Sequence, residues 1–198
     1  EDDVPGITGR RISIETASKV WNACGLRIGA LVTDNAEFHT RAVAENTAAL
    51  CSNHLGQWIF GALADRSHAE LQDWFARQRE YYHEMLVHLT ETTRRLLPGI
   101  IVSSPDAAIY SVVDLRDLVD DGFDALEFVI WCAREGRHLV DGRNLTLLTA
   151  PMAGFYSVPP GAPNPGRTQM RIAYIERPEN MALVPELLAE LLDQYLNR

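Results

Sequence analysis

The chain has 198 residues, of which 46% are hydrophobic and 23% charged. That composition belongs to an ordinary globular protein and excludes a disordered chain, a collagen-like repeat and a disulfide-stapled miniprotein. Lys and Arg total 18 against 27 Asp and Glu, a formal net charge of −9; this opposes a phosphate backbone, which needs a cationic surface, so no nucleic-acid partner is expected. Cys24, Cys51 and Cys132 are odd in number and widely spaced, with no CxxC pair. They read as reduced thiols, mostly in the core, of a cytoplasmic protein. No apolar stretch approaches the ~18 residues of a membrane span, so no membrane partner is expected.

In chain order, residues 10–15 (RRISIE) predict a short β-run, and residues 16–25 read as a loop ending at Gly25. Residues 26–33 (LRIGALVT) predict a strand, in which Gly29 marks a close backbone approach. Asp34, with Glu37 three residues on, is the predicted N-cap of a helix running to about Cys51. Residues 54–64 predict a second, apolar helix. Ser67 and Glu70 form a predicted capping box opening a long helix to about Leu97, along which Trp74, Tyr82, Met85, Leu89 and Leu96 recur at helical spacing. Thirty residues at about 1.5 Å each make a rod of roughly 45 Å, longer than one small domain needs. The helix is therefore expected to link two domains, 1–66 and 67–198. Pro98-Gly99 ends it.

Beyond that stop the pattern becomes α+β. Strands are predicted at 100–103, 108–113, 137–140, 145–149 and 169–175, and helices at 124–135 and 179–196. Gly136 closes the first helix; Pro185 inside the second predicts a kink or a late start. Residues 159–166 (PPGAPNPG) are a Pro/Gly-rich loop.

Lys19 is the one lysine; the other 17 basic residues are arginines. Read alone, it is a solvated loop lysine. Arg27, between Gly25 and Gly29 in an apolar strand, needs a partner, because an unpaired buried guanidinium is costly. A phosphate or carboxylate would satisfy it, and so would a structural ion pair. Arg171 alternates with Met170, Ile172 and Tyr174 and so faces away from their side of a strand. A surface-facing arginine on an edge strand is the plain alternative. Elsewhere spacing argues against a site. His83 and His88 are five apart and no carboxylate completes a metal set, while Ser103-Ser104-Pro105-Asp106 is a turn signal.

Taken together, these residues resemble a family. Ser18-Lys19 followed by Gly25-Leu26-Arg27-Ile28-Gly29, with the arginine eight residues after the lysine, is similar to the lysine segment of fold-type-I pyridoxal-phosphate aminotransferases, the aspartate aminotransferase superfamily. Ser52-Asn53 resembles that family's Ser-Asn turn, and Met170-Arg171-Ile172-Ala173 its late Arg-Ile strand. The resemblance implies an α/β fold with an α+β small domain. Residues 1–66 would be the remnant of the cofactor-binding large domain, and 67–198 the interdomain helix and small domain. It implies that Lys19 joins pyridoxal 5'-phosphate covalently and then shuttles the proton, that Arg27 holds the cofactor phosphate with the Ser18 and Thr16 hydroxyls, and that Arg171 takes the substrate α-carboxylate. It also implies amino acid and 2-oxo acid substrates, a homodimer, and a Ser52-Asn53 turn reaching toward the neighbouring subunit's cofactor.

Departures from the family pattern carry expectations of their own. The family's glycine-rich phosphate loop and ring-nitrogen aspartate precede its lysine, whereas only Asp2 and Asp3 precede Lys19 as acids other than Glu1 and Glu15. The chain is therefore expected to be the C-terminal half of such an enzyme, a partner to a missing N-terminal half, inactive and poor in cofactor alone. Ala48 stands where aspartate-specific members of one subfamily place an arginine five residues before the Ser-Asn turn, which argues against dicarboxylate selection by that route. Two alternatives share the scaffold: an aminotransferase-like effector domain of a transcription regulator, and a related pyridoxal-phosphate lyase.

Overall fold

The computed structural model describes residues 4–49, 52–103 and 107–198. The chain folds as two compact units, Glu1–Gln72 and Asp73–Arg198.

In the first unit, β1 (Ile12–Thr16) and β2 (Gly29–Thr33) form an antiparallel pair, with Ile12 opposite Thr33 and Thr16 opposite Gly29. Gly29 is required there, because a Cβ would stand 2.5 Å from the Glu15 carbonyl oxygen. The 16–25 stretch is not the plain loop expected from its small residues. It holds α1 (Ala17–Val20) and a 3-10 turn at Cys24–Leu26. Thr16 caps α1, its hydroxyl accepting from Ser18 N at 3.1 Å. The second strand starts at Gly29 rather than at residue 26. Arg27 adopts φ 51, ψ 43, a left-handed backbone that ends the 3-10 turn and cannot enter a ladder.

Next, α2 (Ala36–Ala48) is capped by Asn35 and not by Asp34; the Asn35 side chain accepts from Phe38 N at 2.8 Å. The helix stops short of Cys51, which lies outside the described residues. Asn53 caps α3 (His54–Gly61), which ends before residue 64 in a run of tighter turns. Among the described residues up to Gln72, only Ala17 and Gly56 are buried, while Ile14, Val20, Leu55, Trp58 and Ile59 are between 50% and 81% exposed.

The capping box is present as expected. Glu70 accepts from Ser67 N at 2.8 Å, and Ser67 Oγ accepts from Glu70 N at 3.3 Å. It opens α4 (His68–Leu96), which is unbroken. The helix buries Met85, Leu86, Leu89, Thr90 and Thr93, all in its C-terminal half.

A four-stranded antiparallel sheet organises the second unit, in the order β3 (Ile101–Val102), β4 (Tyr110–Asp114), β8 (Gln169–Ala173), β7 (Ala150–Pro151). Arg171 lies opposite Val112 on one side and Ala150 on the other, so its strand is internal and not an edge. Met170, Ile172 and Tyr174 are buried on the core face, as their alternation predicts. Asp124 caps α5 (Ala125–Arg134), accepting from Leu126 N at 2.8 Å. A separate hairpin pairs β5 (His138–Val140) with β6 (Arg143–Leu145), so the strand expected at 145–149 sits earlier. Its two-residue loop, Asp141-Gly142, has φ of 47° and 74° and matches the twist of the flanking strands.

The helix expected at 179–196 is divided into α6 (Pro178–Met181) and α7 (Val184–Leu196), with Pro185 in the first turn of α7. That placement costs no helical hydrogen bond. Leu89, Val113, Leu115, Met170, Leu188 and Leu191 meet in the core, beside a ring cluster of Phe123, Phe128, Trp131 and Tyr195. Cys132 is buried there, and burial pushes its thiol up to about 11. Cys24 is exposed, against the expectation of core cysteines, because it opens a surface 3-10 turn. The turn signal at 103–106 falls largely on residues 104–106, outside those described.

Candidate functional site

Thr16, Ser18, Lys19 and Arg27 all belong to the connection between β1 and β2. Because Thr16 faces Gly29 at the end of the ladder, that connection closes on one end of the pair. Ala17 N donates to Ile28 O at 3.2 Å, and Ala23 N donates to Ala17 O at 3.1 Å, tying its two limbs together. Lys19 stands in the last turn of α1, exposed, with Ser18 half-buried beside it. Arg27 is exposed rather than buried in a strand, and donates to Cys24 O at 3.1 Å. Its cation needs no ion pair to be tolerated there.

Asn53 joins the same connection from α3. Its amide donates to Leu26 O at 2.9 Å while its oxygen accepts from Gly56 N at 3.2 Å, so one side chain caps a helix and fastens it beside Arg27. Gly56 allows the approach, since a Cβ would lie 2.4 Å from Leu26 O. Ser52 Oγ accepts from Gln57 Nε2 at 2.7 Å. A cavity of about 510 Å³ opens along this connection, with Thr16, Trp21, Ser52, Gln57 and Phe60 on its walls; of the expected site residues Thr16 and Ser52 line it, and Ser18, Lys19, Arg27 and Asn53 do not. One connection thus carries an amine, a guanidinium and the Thr16 and Ser18 hydroxyls, with Asn53 bonded to it through Leu26 O, donor types that can serve an anion or a carbonyl compound.

Arg171 belongs to the second unit. Its guanidinium carbon lies 4.5 Å from the Tyr110 ring centre and 4.9 Å from that of Phe155, both within cation–π range. Nε is buried and has no hydrogen-bond partner, and among the described residues no carboxylate pairs with the side chain. A buried guanidinium N–H without an acceptor costs free energy until an acceptor arrives.

Next to it lies a polar network that sequence reading missed. Asp114 is 3% exposed and accepts from Thr168 Oγ1 at 2.7 Å, Gln169 Nε2 at 2.8 Å and Arg116 Nε at 2.7 Å. Burial pushes its carboxyl up, but the hydrogen bonds from Arg116, Gln169 and Thr168 outweigh that and hold it down at about 2. Tyr156 OH donates to Gln169 Oε1 at 2.6 Å. Phe155 and Tyr156 sit in an aperiodic, Pro/Gly-rich stretch, so the aromatic pair was the one signal available. Among the described residues no group of His, Cys, Asp and Glu could hold a metal ion, and no helix is long and apolar enough to cross a membrane.

Comparison with solved structures shows the aspartate-aminotransferase-like fold. The α-aminoadipate aminotransferase LysN of Thermus thermophilus, complexed with N-(5'-phosphopyridoxyl)-L-leucine, superposes with a TM-score of 0.71 at 19% identity, over 94% of this chain and 42% of that one. A kynurenine aminotransferase of Pyrococcus horikoshii gives 0.70 at 21% identity, over 95% and 42%. An aromatic aminotransferase of the same organism gives 0.72 at 17% identity, over 97% and 45%. The chain thus spans less than half the length of these structures. No curated protein matches it by sequence. The family model of aminotransferase class I and II matches residues 4–171, and the chain belongs to that family.

Proposed function

We propose that this chain is the C-terminal part of a pyridoxal-phosphate-dependent aminotransferase, which moves an amino group between an amino acid and a 2-oxo acid. The observation that carries the reading is the β1–β2 connection, which holds the one lysine, Arg27 and the Thr16 and Ser18 hydroxyls and to which Asn53 is bonded through Leu26 O. The donor set fits the cofactor: Arg27 is solvent-facing with a single hydrogen bond to a backbone oxygen, so a phosphate can take its planar fork without breaking an ion pair. Pyridoxal phosphate supplies the electron sink for bonds at the substrate Cα; position and proton transfer are left to the protein.

In this reading Lys19 Nζ anchors the cofactor and later moves the proton at Cα. Arg27, Ser18 and Thr16 hold the phosphate. Arg171 takes the α-carboxylate of the substrate, giving its buried Nε–H an acceptor. Residues 1–66 belong to the cofactor-binding domain, and 67–198 to the linking helix and small domain. A preceding segment of the same protein completes the large domain. The reading extends to a cytoplasmic homodimer in which Ser52-Asn53 reaches the neighbouring site.

The test is covalent mapping. The protein carrying this chain together with its preceding segment is incubated with pyridoxal phosphate, reduced with borohydride and digested. The pyridoxyl mass is expected on the peptide containing Lys19 and is expected to vanish in Lys19→Ala. Equal labelling of other peptides in both proteins, with none on Lys19, would remove Lys19 from its role.

A further inference from the structure

Arg171 owes its orientation to little that is its own. No hydrogen bond holds Nε, and the guanidinium lies against the Tyr110 and Phe155 rings. Tyr110 is fixed on β4 by its place opposite Ala173. Phe155 is different: it closes the 3-10 turn Ala153–Phe155 and is 56% exposed, so burial does little to hold it in place. The start of that turn is fastened by Met152 N donating to Gln169 O at 3.0 Å and by Asn164 Nδ2 donating to Ala153 O at 2.9 Å. Its far end is fastened by Tyr156, one residue beyond Phe155, through the bond to Gln169.

That last bond has a forced direction. An ionised Asp114 can only accept, so Gln169 must turn its NH2 toward it. The amide oxygen is then left facing Tyr156, which must donate. Gln169 and Arg171 are two apart on β8 and share a face of the sheet. Tyr156 is thus pinned over Gln169 while its neighbour Phe155 lies over Arg171.

We propose that Tyr156 and Gln169 are positioning residues for Arg171: the hydrogen-bonded chain from Asp114 through Gln169 to Tyr156 keeps the Phe155 ring against the guanidinium and so sets the direction in which its N–H groups meet a carboxylate. The purpose of this device rests on the carboxylate-binding reading of Arg171 given above.

The Arg171 Nε–H resonance in a side-chain nitrogen–proton NMR spectrum reads the geometry directly, because the nearby rings shift it. It is assigned by its loss in Arg171→Lys, and Phe155→Leu gives its position when one ring is absent. Tyr156→Phe, which deletes one oxygen, is expected to move the resonance toward the Phe155→Leu position. Gln169→Met is expected to do the same, and the double variant to move it no further than either alone. Binding of 3-phenylpropionate is expected to weaken about three- to tenfold in Tyr156→Phe, the equivalent of one net hydrogen bond. A resonance that stays in place in both single variants, while Phe155→Leu moves it, overturns the inference. So does a lowered melting temperature with the resonance unmoved, which is what a merely structural tether would give. If 3-phenylpropionate leaves the Arg171 resonance of the unaltered protein untouched at saturating probe, the carboxylate reading fails instead, and the variants still decide whether the tether sets the guanidinium.

Discussion

Asp114 is buried as an ion, and its stability contribution has a definite pH signature. Its carboxyl sits at about 2 in the folded chain against an ordinary 3.8. A depressed folded value means that the contribution is complete above about pH 4 and is lost as the pH falls toward 2, amounting to roughly 2 kcal/mol. Asp114→Asn places an NH2 against the Arg116 and Gln169 donors and is expected to lower the urea midpoint at neutral pH. The gap from the unaltered protein is expected to narrow as the pH is brought from about 6 to about 3; a gap independent of pH would show that the carboxylate charge is not the cause. At this scale the sequence was unevenly legible. Lys19 and Arg27 stand eight residues apart, close enough for a motif to show. Asp114 meets Thr168 and Gln169 across 54 and 55 residues, and such pairings leave no spacing to read. Arg171 was legible as a residue facing away from the core, because alternation in a strand is local, but its rings at Tyr110 and Phe155 come from distant segments.

The helices obey their caps more closely than their apolar patterns. Ser67→Ala removes the hydroxyl that accepts from Glu70 N and donates to the Glu70 carboxylate, leaving the backbone half of the box in place. It is expected to cost about 1 kcal/mol, read as faster hydrogen exchange in the first turn of α4 and no change near Leu89. Gly166→Ala is expected to disturb the turn at Met152–Ala153, because its Cβ would sit 2.6 Å from Met152 backbone atoms. The readout is the Trp and Tyr near-ultraviolet circular dichroism of the second unit, where an unchanged spectrum and melting point would count against the close approach. These cases also show why element boundaries moved. Asp34 and Asn35 are both good caps, and the choice fell to Asn35, whose other amide atom also donates to Gly9 O at 2.8 Å. The strand expected from residue 26 was cut short by the left-handed Arg27, a conformation that residue type does not announce. Asp141-Gly142 is a hairpin signal carried by the sequence itself, since both residues tolerate the positive φ that the turn between β5 and β6 requires.

At the scale of the molecule the two units differ in kind. The second owns a core; the described part of the first buries almost nothing of its apolar side chains. Exposed apolar area of this extent favours association. In dilute solution the 198-residue chain is therefore expected to scatter light as a dimer or larger, and a sharp monomer with Trp58 and Ile59 shielded from solvent would contradict the part-of-a-larger-protein reading. The sequence made this contrast legible through the density of apolar residues between 20 and 64, too many for two short strands and two short helices to enclose. The buried thiol of the second unit has a practical consequence of its own. A thiolate is the species that alkylating reagents attack, and raising the Cys132 thiol from 9.0 to about 11 lowers its thiolate fraction at neutral pH roughly a hundredfold, before steric shielding is counted. Cys132 is thus silent to iodoacetamide while the second unit is closed and reactive once it opens. Pulsed alkylation, read on the peptide bearing Cys132, makes that one atom a clock for the opening of the second unit.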